Sequence, residues 1–386
     1  MLATIRDVAR LAGVSIATVS RVFNGSPRVS QESARRVRAA ATRLDYWPNS
    51  GARSLTTNRT HALGVLLPDL FGEFFSEVIR GIDHAARAEK LQILVSSSHA
   101  DTEELVAAAR AMRGRIDGLI AMVPDNGSGN ELQQIVRRFP LVLLNPRSRI
   151  PGCSTVSIAN LGGARAVVRH LLALGRLRIA TIRGPRGNVD AEQRLRGYRD
   201  ALRAASIAPE ARLELQGDFT ERSGYECGRE LLRLRPRPTA VFAANDYMAI
   251  GLLRALRDAG VEVPREISVV GFDDIAFALY LDPPLTTVHV DAYALGERAT
   301  RSLVHFMRAP RPSRCTHFVL PTALSVRASC GAETSGAAAA GPARRRRLPE
   351  GTDRGGTGRE GGGRGRGESR MLADIATAPR RGARGG

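Results

Sequence analysis

Two hydrophobic periodicities divide the chain. Over residues 1 to 48, apolar residues recur every three or four positions, which is the spacing of amphipathic helices. Ser15 and Ser30 stand where they could cap the helices that follow them. From Ala62 onward, short apolar segments alternate with helical segments. The pattern therefore predicts a small all-α unit followed by a larger α/β unit.

Seven apolar segments are the predicted strands of the larger unit. They are LGVLLP (63 to 68), LQILVSS (91 to 97), DGLIAMV (117 to 123), PLVLLN (140 to 145), RIATIRG (178 to 184), TAVFAAND (239 to 246) and ISVVGFDD (267 to 274). Nearly continuous apolar strands are typical of parallel sheets that helices cover on both faces. We therefore expect two doubly wound α/β lobes.

The rest of the chain lacks such a pattern. Residues 49 to 60 end in LTTNRT and indicate a linker. Residues 328 to 386 contain AAAAGPARRRR and REGGGRGRG, with too few large apolar side chains to offset the entropy lost on ordering, so we expect a disordered tail. The predicted boundaries are a headpiece at 1–48, a linker at 49–60, two lobes at 61–327 and an Arg/Gly-rich tail at 328–386.

Positive charge is concentrated at the two ends of the chain. The formal net charge is +19; residues 1–60 contain 10 arginines against 3 acidic residues, and residues 328–386 contain 12 against 6. Such ends suit a polyanionic partner. The tail could bind nucleic acid without sequence preference, but an inert, solvated extension is the interpretation that we favour.

Cysteines and apolar runs indicate the compartment. The four cysteines are far apart in sequence and form no CxxC pair: Cys153, Cys227, Cys315 and Cys330. No run of about 18 apolar residues is present, and charged residues occupy the N-terminus where a secretory signal would be apolar. We expect a reduced, cytoplasmic protein with no membrane partner.

Residues 5 to 25, IRDVARLAGVSIATVSRVFNG, have the spacing of a helix-turn-helix. Ala9 is small where two helices cross, Gly13 can adopt a positive φ in the turn, and Val19 packs the second helix against the first. The remaining core residues are expected to be Val8, Leu11, Val14 and Val22. The second helix, capped by Ser15, then turns five residues outward: Ile16, Ala17, Ser20, Arg21 and Asn24.

This geometry predicts DNA binding. The second helix of such a motif enters the major groove, where an arginine can make a bidentate contact to guanine. A three-helix bundle with solvent-facing arginines has the same periodicity. We favour the DNA-binding interpretation because the small–glycine–apolar spacing, the serine cap and the polar outer face coincide.

The segment TIRDVARLAGVSIATVSRVFNGSPRVS resembles, nearly residue for residue, the headpiece of the lactose-repressor (LacI/GalR) family of bacterial transcription regulators. The resemblance continues through YWPNSGARSLTTNRTHALGVLLPDL to about residue 327. It implies that Ile16, Ala17 and Arg21 read bases. It also implies phosphate contacts by Thr4, Thr18, Ser20, Asn24 and Ser30.

The resemblance also implies a hinge helix in the linker that forms on operator DNA. Leu55 would wedge into the minor groove from this helix and kink the duplex. Gly51 departs from the bulkier apolar residue usual in the family, and a glycine within a helix costs about 1 kcal/mol. The hinge is therefore expected to form less readily here, and Leu55 could also be an ordinary linker residue.

Polar residues follow several predicted strands, where parallel α/β lobes bind ligands. They are Asp69, Asn145, Asn245, Asp246, Asp273 and Asp274. Each alone could be a turn or helix-cap residue, but their recurrence favours a pocket. The lobes resemble the family's effector domain, which is similar to periplasmic sugar-binding proteins. This implies polar ligand contacts by Asn145, Arg194, Asn245 and Asp273 and apolar walls from Phe74, Phe75 and Phe219.

The chemistry of these residues suits a small polyol. Amide, carboxylate and guanidinium groups bind adjacent hydroxyls, and an aromatic face covers the C–H surface of a sugar ring. Asn145 departs from the aspartate common at its position, and Asn188 and Asp190 do not reproduce the family's purine-binding pattern. We therefore expect a sugar rather than a nucleobase as effector.

The expected function is that of a sequence-specific transcriptional regulator. We expect a homodimeric repressor that binds a pseudo-palindromic operator in double-stranded DNA under the control of a small effector. The tail lacks the apolar heptads of the family's tetramers. No HExxH, GxSxG or GxxxxGK[ST] motif occurs, so no enzyme, cofactor or metal site is expected. A sugar-binding protein of a transport system would share the lobes and is the alternative.

Overall fold

The computed structural model describes residues 3–24, 26–47, 59–123, 135, 138–308 and 315–332. The headpiece contains helices α1 (Ile5–Ala12), α2 (Ile16–Phe23) and α3 (Gln31–Arg43). The lobes contain helices α4 (Glu73–Ala88), α5 (Thr102–Ala111), α6 (Asn160–Ala173), α7 (Val189–Ala204), α8 (Glu221–Leu231), α9 (Asp246–Asp258) and α10 (Ala292–Arg308).

The strands of the lobes are short. In chain order they are β1 (Ala62–Leu67), β2 (Gln92–Ser97), β3 (Gly118–Met122), β4 (Leu141–Leu144), β5 (Ser154–Ile158), β6 (Ile179–Arg183), β7 (Glu214–Gln216), β8 (Ala240–Ala243), β9 (Ser268–Val270), β10 (Thr287–His289), β11 (His317–Leu320) and β12 (Ala323–Ser325). Short 3-10 turns occupy Ala211–Leu213, Ala276–Tyr280 and Ala328–Cys330.

Local hydrogen bonds define the helix-turn-helix. Gly13 ends α1 with φ +61°, a left-handed conformation that glycine adopts without steric cost. The Ser15 hydroxyl then accepts a hydrogen bond from the Thr18 N–H at 3.2 Å and caps α2. Both the glycine turn and the serine cap predicted from the sequence are therefore confirmed.

The headpiece buries a small apolar core. Val8, Val19 and Val37 are fully buried, one from each helix. Ala9 is also buried. Leu11 is 43% exposed, so the prediction that it lies in the core is wrong. The buried face of α1 runs through Val8, Ala9 and Ala12. Leu11 lies beyond the edge of this face, because each residue turns about 100° around a helix.

Each lobe is built on a parallel sheet. The first lobe contains six strands in the order β11-β5-β4-β3-β1-β2, and the second contains four in the order β7-β6-β8-β9. All pairings within these two sheets are parallel. A separate antiparallel pair joins β10 and β12. The expected pair of parallel α/β lobes is therefore confirmed.

All seven apolar segments form strands, whereas β5, β7, β10, β11 and β12 were not predicted. Each of these five is three to five residues long. The burial of β11 also alternates, so it gives no continuous apolar signal.

The folded chain extends past its predicted end at residue 327. Ser329 and Cys330 are buried, and the Ser329 hydroxyl donates a hydrogen bond to the Val269 carbonyl at 2.6 Å. Polar hydrogen bonding and a short turn, rather than apolar periodicity, fix this segment. The predicted tail from residue 333 onward and most of the predicted linker lie outside the described residues.

Two glycines allow helices α4 and α10 of the first lobe to pack backbone against backbone. A Cβ atom on Gly296 would lie 2.1 Å from the Val78 carbonyl oxygen, and one on Gly81 would lie 2.0 Å from the Tyr293 carbonyl oxygen. Neither backbone oxygen can move without displacing its helix. This contact therefore depends on the absence of side chains.

The change Gly296→Ala should destabilise the first lobe by about 1 to 3 kcal/mol, since overpacking forces the two helices apart. Gly162→Ala is the matched control: Gly162 also lies in a helix, but a Cβ added there would meet nothing closer than 4.0 Å. The control should be neutral or stabilising by up to about 1 kcal/mol. Urea denaturation measures both, and equal midpoints for the two variants would contradict the packing argument.

Candidate functional site

The outer surface of α2 is available to a partner. Ile16, Ala17, Arg21 and Asn24 are exposed, and Ser20 is half-buried. Ile16 keeps 46% of its surface in contact with solvent, although it is large and apolar. Within the part of the chain that the structure describes, Arg21 forms no ion pair. The three predicted base-reading residues thus lie together on an unobstructed helix face.

The predicted phosphate contacts lie mainly around helix N-termini. Thr4 and Ser30 are the N-cap residues of α1 and α3, and Thr18 lies in the first turn of α2. The Ser20 hydroxyl accepts a hydrogen bond from the Asn24 amide at 3.3 Å. Backbone N–H groups at helix N-termini point toward solvent and favour anions. The arrangement suits phosphate contacts, and these contacts stay a prediction.

Arg36 supports the helix-turn-helix from α3, a role that was not predicted from the sequence. Its Nε donates to the Ala12 carbonyl at 3.1 Å and its Nη2 donates to the Gly13 carbonyl at 3.0 Å. These carbonyls end α1 and would otherwise lack intrahelical partners. Arg36 therefore fixes the turn that aims α2. Leu55 and Gly51, the predicted hinge residues, lie outside the described residues.

Arg194 is the centre of a second polar cluster, between the lobes. Only 4% of its side chain is exposed. Its guanidinium donates to the Asn160 side-chain oxygen at 2.9 Å and to the Ala244 carbonyl at 2.5 Å, and lies 3.0 Å from Asp273 Oδ1. The Phe272 ring covers it, with 3.8 Å between the guanidinium carbon and the ring centroid. A buried charge requires such partners.

Asp273 completes this cluster with an oxygen that has spare acceptor capacity. Burial raises the pKa of Asp273 to about 6, against the opposing charge of Arg194 and with a further upward effect from Asp190. Oδ1 lies within ion-pair distance of Arg194 but accepts no aligned hydrogen bond from the described residues. A carboxylate oxygen in this state suits a ligand hydroxyl as donor.

Asp190 links the two lobes, although its sequence position gave it no predicted role. Its Oδ2 accepts a hydrogen bond from the Asn145 amide at 3.0 Å, and its Oδ1 accepts one from the Asn160 amide at 2.7 Å. Burial raises the pKa of Asp190, although Arg194 and both amides oppose the rise. Asp190 and Arg194 are four residues apart on α7 and share one face, which is the signal that could have identified Asp190.

The side chains of Asn145 and Asn245 lie in the cluster and also form hydrogen bonds with the backbone. The Asn145 side-chain oxygen accepts a hydrogen bond from the Ile158 N–H at 2.9 Å. Asn245 caps α9 through the Met248 N–H and donates to the Phe219 carbonyl, both at 2.9 Å. The predicted ligand contacts are thus brought together, and these two amides already hold the loops that form the cleft.

The predicted aromatic walls come from both lobes. Phe219 has φ +74°, and its ring centroid lies 6.0 Å from the Arg194 guanidinium. Phe74 and Phe75 start α4 and pack edge to face at 5.3 Å. The Phe219 ring lies over Gly184, where a Cβ would approach it to 2.4 Å. All three rings are half-buried, Phe219 lies near Arg194, and Phe74 and Phe75 pack against the apolar core of the lobes.

The other polar residues after strands have structural partners. Asp246 is fully buried and accepts hydrogen bonds from Thr287 and Ile275. Burial, reinforced by Asp273, raises the pKa of Asp246 well above its ordinary value. Asp69 accepts bonds from the N–H groups of the loop that follows it. Asp69 therefore has the turn role that the sequence left open, whereas Asp246 connects distant segments of the second lobe.

Hydrogen bonds and an ion pair join the two lobes directly across the cleft. The Tyr247 hydroxyl accepts a hydrogen bond from the Glu73 N–H at 3.0 Å, and a Glu73 carboxylate oxygen accepts one from the Ala276 N–H at 2.7 Å. Arg147 pairs with Glu192 at 2.9 Å. Each bond joins a segment of the first lobe to one of the second.

The described residues contain no group of three or more potential metal ligands and no helix able to span a membrane.

A helix-turn-helix headpiece joined to two lobes with a polar cleft defines the class of ligand-controlled transcriptional regulators. Two family models match the chain: bacterial regulatory proteins of the lacI family over residues 4–49, and the periplasmic binding protein-like domain over residues 168–330. The chain belongs to the LacI family of bacterial regulatory proteins.

Curated relatives are regulators of transcription. The ribose operon repressor of Escherichia coli K12 is 36% identical over 314 residues, which cover 80% of this chain and 94% of the relative. The transcriptional regulator GalR of the same organism is 37% identical over 305 residues, covering 77% and 87%. Nothing in these relatives supports the alternative of a transport protein.

Solved structures agree over most of the chain. A Lac repressor dimer bound to operator and the anti-inducer ONPF has a TM-score of 0.77 and 31% identity, covering 86% of this chain and 99% of that one. A complex of the transcriptional regulator CelR with cellobiose has a TM-score of 0.65 and 34% identity, covering 85% and 99%. The predicted family and fold are therefore confirmed.

His289 makes the stability of the second lobe dependent on pH. Its Nδ1 lies 3.0 Å from Asp274 Oδ2, and this hydrogen bond raises the pKa of His289. The stabilisation is complete below the unfolded pKa of about 6.5 and is lost as the pH rises through the folded value. The Tm of His289→Gln should therefore lie further below that of the wild type at pH 5.5 than at pH 9. Thermal denaturation of both proteins at the two pH values measures this difference.

His305→Gln is the matched control for this pH dependence, because His305 is exposed on α10 and has no acidic partner among the described residues. Its effect on Tm should be small at both pH values. A His289→Gln deficit that stayed constant, or grew toward pH 9, would show that the Asp274 contact does not stabilise the fold.

Proposed function

We propose that this protein is a sequence-specific transcriptional repressor whose affinity for operator DNA is controlled by a sugar bound between its lobes. The observation that carries the proposal is the exposed Arg21, without an ion pair among the described residues, on a capped helix held by a complete helix-turn-helix core. The function is one of binding, and no catalytic step is assigned to any residue. The expected location is the cytoplasm, on the nucleoid when bound to DNA.

In this proposal α2 enters the major groove. Arg21 donates two hydrogen bonds to a guanine, while Ile16 and Ala17 contact base edges from the first turn of the helix. Thr4, Thr18, Ser20, Asn24 and Ser30 contact phosphates and fix the register without reading sequence. Leu55 would wedge into the minor groove from the linker and stabilise a bent operator.

The proposed effector lies at the Arg194 cluster. Arg194 and Asp273 present a donor and an acceptor side by side, which suits two adjacent hydroxyls of a sugar. Asn145 and Asn245 contribute amides, and Phe74, Phe75 and Phe219 cover the ring. The CelR complex with cellobiose supports a sugar as the class of ligand.

Control of DNA binding follows from the closure of the cleft. The bonds of Asn145 with Asp190 and of Glu73 with Tyr247 and Ala276 exist only while the lobes are together. An effector that binds one lobe arrangement more tightly than the other shifts the affinity for DNA. Each tenfold change in DNA affinity requires a difference of about 1.4 kcal/mol between the binding free energies of the effector in the two arrangements. Both induction and co-repression obey this relation.

A homodimer supplies the second headpiece. Two copies on a two-fold axis bind two half-sites, so the operator should be pseudo-palindromic. Phe277, Leu279 and Tyr280 expose 55%, 50% and 79% of their surface within one short turn of the second lobe. A concentrated apolar patch of this kind supports a protein interface.

Arg21→Ala should remove the preference for operator over scrambled DNA. The lost bidentate contact contributes about 1 to 3 kcal/mol for each half-site, whereas the phosphate contacts should leave weak binding that declines with salt. Fluorescence anisotropy against both duplexes at two salt concentrations measures this. Arg222→Ala, on the exposed surface of α8 in the second lobe, is the matched control and should retain full selectivity. Retained selectivity in Arg21→Ala would refute the base-reading role.

Asp273→Asn should abolish the thermal stabilisation that the effector confers. A ligand at 100 times its Kd adds about 2.7 kcal/mol to the stability of the native state, so a thermal-shift screen against a sugar panel will identify it. Asn is isosteric but lacks the charge that pairs with Arg194. Asp274→Asn is the control, since Asp274 pairs with Arg327 and His289 instead. Equal ligand shifts for wild type and Asp273→Asn would place the effector elsewhere.

A further inference from the structure

Two cysteines precede neighbouring strands of the first lobe. Cys153 comes just before β5 and Cys315 shortly before β11, and these strands pair in parallel with His317 opposite Thr155. Extending this register by two residues places Cys315 beside Cys153. Side chains two residues apart on a strand point to the same face of the sheet. The two thiols therefore lie on the same face as the side chains of Thr155 and His317.

Hydrogen bonds show that the two segments lie side by side at the N-terminal ends of β5 and β11. The Thr155 N–H donates to the Thr316 carbonyl at 2.9 Å, and the Thr316 N–H donates to the Ser154 hydroxyl at 3.1 Å. Ser154 and Thr316 immediately follow the two cysteines. Neighbouring strands lie about 4.8 Å apart, which is within the Cα separation of about 4.4 to 6.8 Å that a disulfide requires.

Cys315 also lies close enough to affect the Cys153 thiol electrostatically. Burial, reinforced by the adjacent Cys315, raises the pKa of the Cys153 thiol to about 11. Both cysteines are free thiols in this structure. Cys153 is fully buried, with its thiol directed at the Ile150 carbonyl at 3.3 Å, whereas Cys315 is half-buried. An oxidant therefore reaches Cys315 first.

We propose that Cys153 and Cys315 are a redox pair that forms an intramolecular disulfide on exposure to a hydroperoxide. The Cys315 sulfur attacks the peroxide, the O–O bond breaks, and the products are a sulfenic acid on Cys315 and, from hydrogen peroxide, water. The Cys153 sulfur then attacks the sulfenic sulfur, and the S–O bond breaks to release a second water and form the S–S bond. Two thiols are oxidised and one peroxide is reduced.

The bond would connect distant parts of the chain. Between Cys153 and Cys315 lie all of β6 to β10 and helices α6 to α10, so the disulfide closes a long loop that contains most of the second lobe. It would also fasten β11, an edge strand of the first sheet, to β5. Cross-links that close long loops reduce the entropy of the unfolded chain and raise the stability of the fold. Oxidation should therefore raise the Tm.

Thiol counting on the full-length protein tests the pair directly. The reduced chain has four thiols that react with DTNB in denaturant. After treatment with hydrogen peroxide and its removal, two should remain, and dithiothreitol should restore all four. Mass spectrometry of a non-reduced tryptic digest should link the peptides that contain Cys153 and Cys315. Four remaining thiols, a link between any other pair or between two chains, or a loss that dithiothreitol does not reverse would overturn the proposal.

Variants separate the pair from the remaining cysteines. Cys315→Ser should form no intramolecular link and show no rise of Tm on oxidation. Cys227→Ser is the matched control: Cys227 is buried in the second lobe, where its thiol is directed at the Gln216 carbonyl, and this variant should still lose two thiols. An intramolecular disulfide in Cys315→Ser, or none in Cys227→Ser when both variants melt cooperatively, would assign the chemistry to other cysteines.

Discussion

The buried guanidinium of Arg194 is the constraint on which the cleft depends. A charge with 4% of its side chain exposed is stable only with partners on every side, and these partners come from segments far apart in the chain: Asn160, Ala244 and Asp273. The Phe272 ring closes the remaining face. Because these groups must converge on one fork-shaped cation, the ends of several strands and helices are held at fixed positions around the cleft.

The two acids near Arg194 connect this constraint to the arrangement of the lobes. Burial raises the pKa of both Asp273 and Asp190, and the positive charge of Arg194 opposes the rise in each case. Asp190 bonds to Asn145 of the first lobe, so the charge balance around Arg194 reaches across the cleft. In the proposed function, a ligand that donates hydrogen bonds here would change the same interactions that hold the lobes together. The electrostatics of the site and the closure of the lobes are therefore coupled.

The headpiece depends on a different kind of constraint. Its core consists of small apolar side chains, so the orientation of α2 is fixed by close helix packing, the Gly13 turn and the hydrogen bonds from Arg36 to the end of α1. This leaves the polar face of α2 uncommitted within the folded unit. Arg194 is held by internal partners, whereas Arg21 has no such partner among the described residues. The contrast follows from burial, because water can stabilise a charge on an exposed helix but not one in the cleft.

Local sequence determined the helix-turn-helix, the seven apolar strands and the family, because helix caps, a left-handed glycine and apolar periodicity are short-range signals. Asp273 was among the polar residues that follow predicted strands, whereas Arg194 was expected only from the resemblance to the family. Only the tertiary structure decided that Leu11 is exposed, that Asp190 bridges the lobes and that Arg36 supports the turn. The proximity of Cys153 and Cys315 likewise depends on the pairing of two short strands, one of them an edge strand, that lie far apart in the chain. Such contacts are set by sheet order and register, which no local pattern encodes.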